Sequence, residues 1–429
     1  MEKLTEGFIE ELSKKKKEPS WMLEFRKKAY HAFLEKDNPN FGPVIDLDFD
    51  KIMYYKSEDI PLTDDWDKVN KNVKDTFCNL GVIDAEEKYL GGVTNQFESE
   101  VVYHKQKVDS KVIFTSTDDA LQKYPDLFKK YFNHLVNYNE NKYTALNGAL
   151  WSGGSFIYIP PYTKLDRPLQ SYFRMESAAL GQFERTIIIV DEGAELEYIE
   201  GCTARVHMEK SLHAGVVEIF VGKNARCRYV TIQNWSNDVY NLVTKRAIVE
   251  QFGQMEWIDG NIGSAVTMKY PSCILKGNYA TGNSISVAFA KKGQVLDAGA
   301  KMIHLGKHTK STILSKSISQ DGGIANYRGK VRIAPGALYS KANVKCDTIL
   351  LDMNSKSDTY PKNILENDKS FIEHEAVVSK VNGEKIFYLM SKGLSEEKAK
   401  ELLILGFISD FKKNLPMEYA VELNRLLKE

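Results

Sequence analysis

Asp191-Glu192-Gly193-Ala194 stands before Leu196-Glu197-Tyr198-Ile199, and the same arrangement returns twice. Gly222-Lys223-Asn224-Ala225 precedes Cys227-Arg228-Tyr229-Val230, and Glu250-Gln251-Phe252-Gly253 precedes Met255-Glu256-Trp257-Ile258. Each copy is a polar turn followed by an alternating strand. The turn residues Gly193, Asn224 and Gly253 are 31 and 29 positions apart. A turn that needs positive φ, recurring at near-constant spacing, predicts the stacked coils of a β-solenoid. A sandwich would bring hairpin turns at shorter, more varied intervals.

Working outward, short β-rich runs fill the chain from about Trp151: 155–159, 186–190, 216–221, 228–232, 247–250, 312–318 and 348–351. No amphipathic helix lies between them. Before them, apolar residues at three- and four-residue spacing predict helices over 6–12 and 21–34. Asn38-Pro39-Asn40-Phe41-Gly42-Pro43 is a breaker, and a helix over 118–135 is capped by Ser116 or Asp118. After them, Ser395 opens a helix carrying Ala399, Leu402, Leu403, Leu405 and Phe407, and Pro416 opens another carrying Tyr419, Ala420, Leu423 and Leu426. The expected organisation is a mainly helical region 1–150, a β core 151–385 and a helical region 386–429.

The 58 Lys+Arg balance 58 Asp+Glu, which argues against a general nucleic-acid binder. Ile187-Ile188-Ile189-Val190 is far short of the roughly 20 apolar residues that cross a bilayer. The first 21 residues lack the apolar core of a secretory signal, and Lys14 to Lys17 read as a solvated helix face. A soluble intracellular protein is expected, with no membrane partner. The five cysteines, Cys78, Cys202, Cys227, Cys273 and Cys346, form no C-x-x-C pair, so no complete zinc or cluster motif is written locally.

Several enzyme signatures fail on counting. The run 299–308 has six residues between its glycines and His308 where a phosphate loop needs Ser or Thr. Trp151-Ser152-Gly153-Gly154-Ser155 is not a nucleophile elbow. His304 and His308 lie in an extended run and read as a solvated loop rather than a metal site. Strand alternation gives more: Arg174 shares a face with Tyr172 and Glu176, Gln233 shares one with Thr231 and Trp235, and one of Lys245 and Arg246 points inward. In a narrow lumen such groups are costly unless hydrogen-bonded; on the outer face they are ordinary. Phe371-Ile372-Glu373-His374-Glu375-Ala376 puts Glu373 and Glu375 on one face and His374 on the other.

Beyond these patterns, 181–186, Glu200-Gly201-Cys202-Thr203-Ala204, Gln233-Asn234-Trp235, 240–246 and 299–305 resemble the SufB/SufD family of iron–sulfur cluster assembly proteins, as do Cys346-Asp347-Thr348 and Glu373-His374-Glu375-Ala376. The likeness runs from about Trp21 to the C-terminus. Gly201-Cys202-Thr203 together with Cys346 resembles the SufB branch; a SufD-like structural partner is the alternative. A β-helix enzyme acting on polysaccharide would want paired carboxylates over a groove and usually a secretory signal. The resemblance implies a right-handed parallel β-helix flanked by N- and C-terminal helical regions, acting as a cytoplasmic scaffold (stromal in a eukaryotic organelle) rather than an enzyme.

The same resemblance implies the site residues. Cys202 accepts persulfide sulfur from a cysteine desulfurase or sulfurtransferase; Arg174, Gln233, Trp235 and Lys245 line a sulfur path; Cys346 and Glu375 hold a transient iron–sulfur cluster at a SufD interface. Glu373, His374 and Glu176 are further candidates. Partners implied are the ATPase SufC, on the C-terminal helices, and SufD, with reduced flavin (FADH2) as an electron source. Glu176 stands where the family more often has Asn, and Arg205 where Pro is usual. Chemistry asks that Cys202 be an exposed thiolate with a cation near, and Arg205 is the sequence-near candidate.

Overall fold

The computed structural model describes residues 3–58, 60–381 and 383–415. The second helix expected after Pro416 lies outside them. The core is a parallel β-helix of about eight coils, each giving one strand to a ten-stranded sheet and another to a facing twelve-stranded sheet. In the first sheet Leu169–Met175, Glu195–Ala204, Arg226–Trp235, Gln254–Gly263, Thr281–Ala290, Lys310–Ser319, Lys341–Leu350 and Phe371–Lys380 follow one another in parallel register. The second contains Arg185–Val190, Val216–Val221, Val239–Val249, Val295–His304, Ile324–Ile333 and Thr359–Leu365.

The turns run as the repeat predicts, with one shift. Gly193 and Asn224 have positive φ (67° and 55°), but in the third copy Phe252, not Gly253, takes that conformation (φ 57°). Gly253 serves a close approach instead: a Cβ there would lie 2.9 Å from the Glu250 carbonyl oxygen and 3.0 Å from that of Gly222. Later turns use Tyr279, His308 and Tyr339 at positive φ. Their rings stack with Phe252 in one ladder, centroids 5.0, 4.8 and 5.1 Å apart, which offsets the steric cost of the left-handed region. His308 is therefore a ladder member. His304 is a fully buried strand residue that exchanges hydrogen bonds with Thr309 and Ser311 (2.8 and 2.9 Å), and burial lowers its pKa to about 4. The solvated loop expected around these two histidines is thus replaced by a neutral core imidazole and a stacked turn.

Helices cover the outer faces. The helices α1 (Glu6–Lys15), α2 (Ser20–Glu35), α3 (Lys71–Asn79), α4 (Val82–Lys88), α5 (Thr117–Lys123), α6 (Pro125–Tyr131) and α7 (Lys142–Leu150) precede the coils. Ser116 caps α5, but the single helix expected over 118–135 breaks at Tyr124, because the following Pro125 starts α6. Ile9, Ala29, Phe33 and Leu146 pack on Leu242 and Met268 of the second sheet. Val73 and Phe77 cover Tyr172 and Ile199 of the first. A hairpin, Gly92–Phe97 and Glu100–Gln106, extends the first sheet and ends it with an antiparallel strand; Ile113–Ser116 does the same for the second.

After the coils come α8 (Gly383–Ser391), α9 (Glu396–Phe407, capped by Ser395) and α10 (Ser409–Lys413). Ile404, Ile408 and Phe411 pack against Ile258 and Phe289, so this face of α9 and α10 is core. Leu402 of α9 is exposed, but the larger exposed apolar surface is on α8, where no side chain is buried and Phe387 and Tyr388 are 73% and 60% exposed. Among the described residues the last coil is bare too. Thr359–Leu365 and Phe371–Lys380 are each paired on one side only, leaving Leu365, Phe371, Val377 and Val378 exposed. No helix among the described residues is long and apolar enough to cross a membrane.

Candidate functional site

Alternation decides which residues enter the lumen. On Glu195–Ala204, Tyr198, Glu200 and Cys202 point inward, while Ile199 and Gly201 face the helices. Gly201 lets an aromatic ring lie flat on the strand, since a Cβ would meet the Tyr172 ring at 2.5 Å. Cys202 is fully buried against Phe173, Met175 and Trp235. Its Sγ donates to Glu200 Oε1 at 3.8 Å, and burial, then the Glu200 charge, pushes the thiol well above its usual range. The expected exposed thiolate is thus a buried, protonated thiol. Arg205 is exposed and pairs with Glu176 at 3.1 Å.

Around Cys202 the lumen is polar. Lys245 Nζ lies 2.8 Å from Glu200 Oε1, and the Tyr229 hydroxyl donates to the other carboxylate oxygen. Burial alone would raise Glu200, but Lys245 and Tyr229 hold its carboxyl below its ordinary value. Burial would depress Lys245, and Glu200 and then Asp259 outweigh it, so its pKa is raised. Gln233 pairs in register with Cys202 and accepts from Asn241 (2.8 Å) and from Lys269 (3.1 Å), whose Nζ also meets Asp259 at 3.0 Å. Asn241 hydrogen-bonds His213, which reaches Glu184 at 2.6 Å. Gln233 Nε2 and Trp235 Nε1 are buried with no partner among the described residues.

Cys202, Gln233, Trp235 and Lys245 are therefore together inside the coil. Arg174 is not with them: it faces outward, forking onto Glu176 (2.7 and 3.0 Å) and donating to Thr203 at 3.2 Å. Glu200, Tyr229, Asp259, Lys269 and His213 belong to the lumen and were not singled out from sequence. The available signal was the two-residue spacing of Glu200 from Cys202; the apolar neighbours on both faces hid which side was inside.

A single register column runs down the lumen: Ser171, Glu200, Thr231, Asp259, Ser286, Ser315 and Cys346 pair in succession. From Glu200 to Cys346 this is five ladder steps, about 24 Å at roughly 4.8 Å each. Ser286 donates to Ser315 at 3.1 Å. At its end Cys346 Sγ lies 3.7 Å from His374 Nε2, with burial pushing the thiol up to about 12. Glu375 is beside the next pair, Lys345↔Glu375, on the outer face, 3.5 Å from Lys345 and exposed. Glu373 is outward as well, accepting from Asn343 at 3.0 Å. Cys346 and Glu375 are thus adjacent coils but opposite faces; the structure brings His374 to the thiol. Cys227 and Cys273 line the same lumen among apolar neighbours, and Trp257 Nε1 donates to Cys273 Sγ at 3.2 Å.

Two family models match: "SUF system FeS cluster assembly, SufBD core domain" over residues 173–407 and "SufBD protein N-terminal region" over 8–171. The chain belongs to the SufBD family. Relatives named iron-sulfur cluster assembly SufBD family proteins include those of Staphylococcus saprophyticus and Staphylococcus epidermidis, each 54% identical, and of Staphylococcus aureus strain MRSA252, 55% identical. Each match covers 99% of this chain and 92% of the relative. Membership ties the chain to iron–sulfur cluster assembly, and the core match spans both Cys202 and Cys346.

Proposed function

We propose that this SufBD protein is a SufB-type scaffold that accepts sulfur at Cys202, moves it through the β-helix and builds a nascent cluster at Cys346. The carrying observation is the in-register polar column from Glu200, beside Cys202, to Cys346. A buried run of Ser, Thr and carboxylate groups through an apolar core is tolerated because its members hydrogen-bond one another and the lumen lysines, and it leaves a polar lane in which an anionic sulfur cargo can be solvated. Sulfur transfer is an exchange in which the Cys202 sulfur, once deprotonated, attacks the outer sulfur of a donor persulfide and the donor thiolate leaves. The Lys245 ammonium and the unpaired N–H groups of Gln233 and Trp235 supply cationic and hydrogen-bond support for a persulfide anion in that lumen. Access for a donor comes through the loop 205–210, which follows the Cys202 strand and exposes Val206 and Met208.

Cys346 and His374 are two donors, too few to close an iron site. The bare last coil beside them is where a SufD partner docks and supplies the rest, with Glu375 and Glu373 at its rim. The ATPase SufC binds the C-terminal helices, and the exposed α8 face is its seat; ATP hydrolysis belongs to SufC. Reduced flavin supplies electrons from outside the chain. The β core 151–385 carries sulfur and cluster, while 1–150 covers it and 386–429 couples it to SufC.

The test is anaerobic reconstitution of the co-purified complex with iron and sulfide, read by absorption and Mössbauer spectra. Cys346→Ala should pair and support ATPase activity yet hold no cluster, and Cys202→Ser should accumulate no persulfide from the donor enzyme. A full cluster on the Cys346→Ala complex would move the site elsewhere and favour a SufD-like role.

A further inference from the structure

On the outer face of the second sheet, one register column is cationic. Arg246 pairs with Ser272, Ser272 with Lys301, Lys301 with Lys330, and Lys330 with Lys362. Three lysines thus stand on successive strands, roughly 4.8 Å apart, an arrangement that repels itself. The arginines of this face each have a carboxylate: Arg246 grips Glu140 (2.6 and 2.8 Å), Arg328 grips Asp297 (3.0 and 3.1 Å) and Arg332 grips Glu366 (2.9 Å). Lys301, Lys330 and Lys362 have no carboxylate of the described residues within 4.0 Å. Lys301 is half-buried and rests 5.1 Å from the centre of the Tyr270 ring. Burial lowers its pKa most, and Arg246, Lys330 and Arg328 lower it further, with the charge of Glu140 opposing them.

Lys301 lines a cleft of about 500 Å³, a volume that suits a small molecule. Arg246, Tyr270, Ser272 and Phe41 line the cleft with it, as does Glu140, the carboxylate that Arg246 grips, and Asp37 is an exposed residue of the same lining. The chain as a whole carries no net charge, so this is a local excess made by coil register.

We infer that an oligophosphate anion binds across the cleft and the adjoining lysine column, with Lys301, which belongs to both, as the central contact, Arg246 inside the cleft, and Lys330, the next residue of the column, outside it. Lysines that are point charges in a row, and free of carboxylate forks, suit a chain of phosphate groups better than a planar carboxylate. The site is separate from the lumen, because Lys301 and Lys330 face away from Ala300, Met302 and Val331, which line it.

Calorimetric titration of the full-length protein with inorganic tripolyphosphate tests this. Binding should be measurable at about 50 mM salt, weaken several-fold by 200 mM, and fall by about tenfold or more in Lys301→Met and in Lys330→Met. Lys307→Met, on an exposed turn outside the cleft, should bind as wild type. Thermal melting checks folding: Lys301→Met should melt at or above the wild-type temperature, because it removes a half-buried charge with no ion pair. No heat of binding to wild type, equal binding by Lys301→Met, or an equal loss in Lys307→Met overturns the assignment.

Discussion

Lys245 Nζ and Glu200 Oε1 stand 2.8 Å apart inside the β-helix, and both side chains are about 1% exposed. They come from opposite sheets and from strands 45 positions apart, so the pair spans the lumen. Breaking such a pair leaves one charge without compensation in low dielectric. Lys245→Met should cost about 3–5 kcal/mol, and Glu200→Gln/Lys245→Met together should cost less than Lys245→Met alone. Urea unfolding of these two variants and of Glu200→Gln alone measures this, and equal or additive losses would count against the coupling.

The same pair fixes a pH window. The folded Glu200 titrates below its ordinary 4.5, so its contribution is present above that pH and is lost as acid titrates through the lower folded value. The folded Lys245 titrates above 10.5, so its contribution is present below that pH and is lost as alkali passes the higher folded value. Between about pH 5 and 10 the pair's contribution should be flat. The difference in unfolding free energy between wild type and the double variant, followed against pH, should curve only outside that window.

Thiol reactivity should follow burial. Cys78 is exposed, whereas Cys202, Cys227, Cys273 and Cys346 are buried. Iodoacetamide at pH 8 should modify Cys78 first and the other four only with unfolding, as mass spectrometry would show. Labelling of Cys202 as fast as Cys78 would mean that the loop 205–210 opens readily in the free protein.

The aromatic ladder makes a separate prediction. His308 has φ 57° and stacks between Tyr279 and Tyr339. His308→Ala loses the stacking but keeps the strained backbone, and should cost about 1–2 kcal/mol. His308→Gly loses the same contacts but tolerates the conformation, and should cost less. Urea midpoints would rank them, and the reverse order would refute the strain argument.

On α8, Phe387→Ser with Tyr388→Ser should change stability by no more than about 0.5 kcal/mol, because both rings face solvent. The same double change should abolish co-purification of the proposed ATPase partner while SufD pairing persists. Retained ATPase binding would place that partner elsewhere.

The solenoid was legible in sequence because its coils repeat a local device, a left-handed turn and an alternating strand, at near-constant spacing. Gly193 and Asn224 announced it by their intrinsic tolerance of positive φ; Phe252, Tyr279, His308 and Tyr339 adopt the same conformation with each ring stacked on a neighbour that one strand's sequence does not contain. Resemblance to the family pointed to Cys202, Gln233, Trp235 and Lys245, and alternation made a common face available to them. Which face is the lumen depends on what covers the other side. Arg174 falls outside because Phe173 and Met175 take the inward positions beside Cys202. Glu200, Asp259 and Lys269 become a site only when register stacks them, and His374 rather than Glu375 meets Cys346 because a one-residue step along a strand reverses the face. Periodicity is a property of the chain; inside and outside are decided by coil stacking.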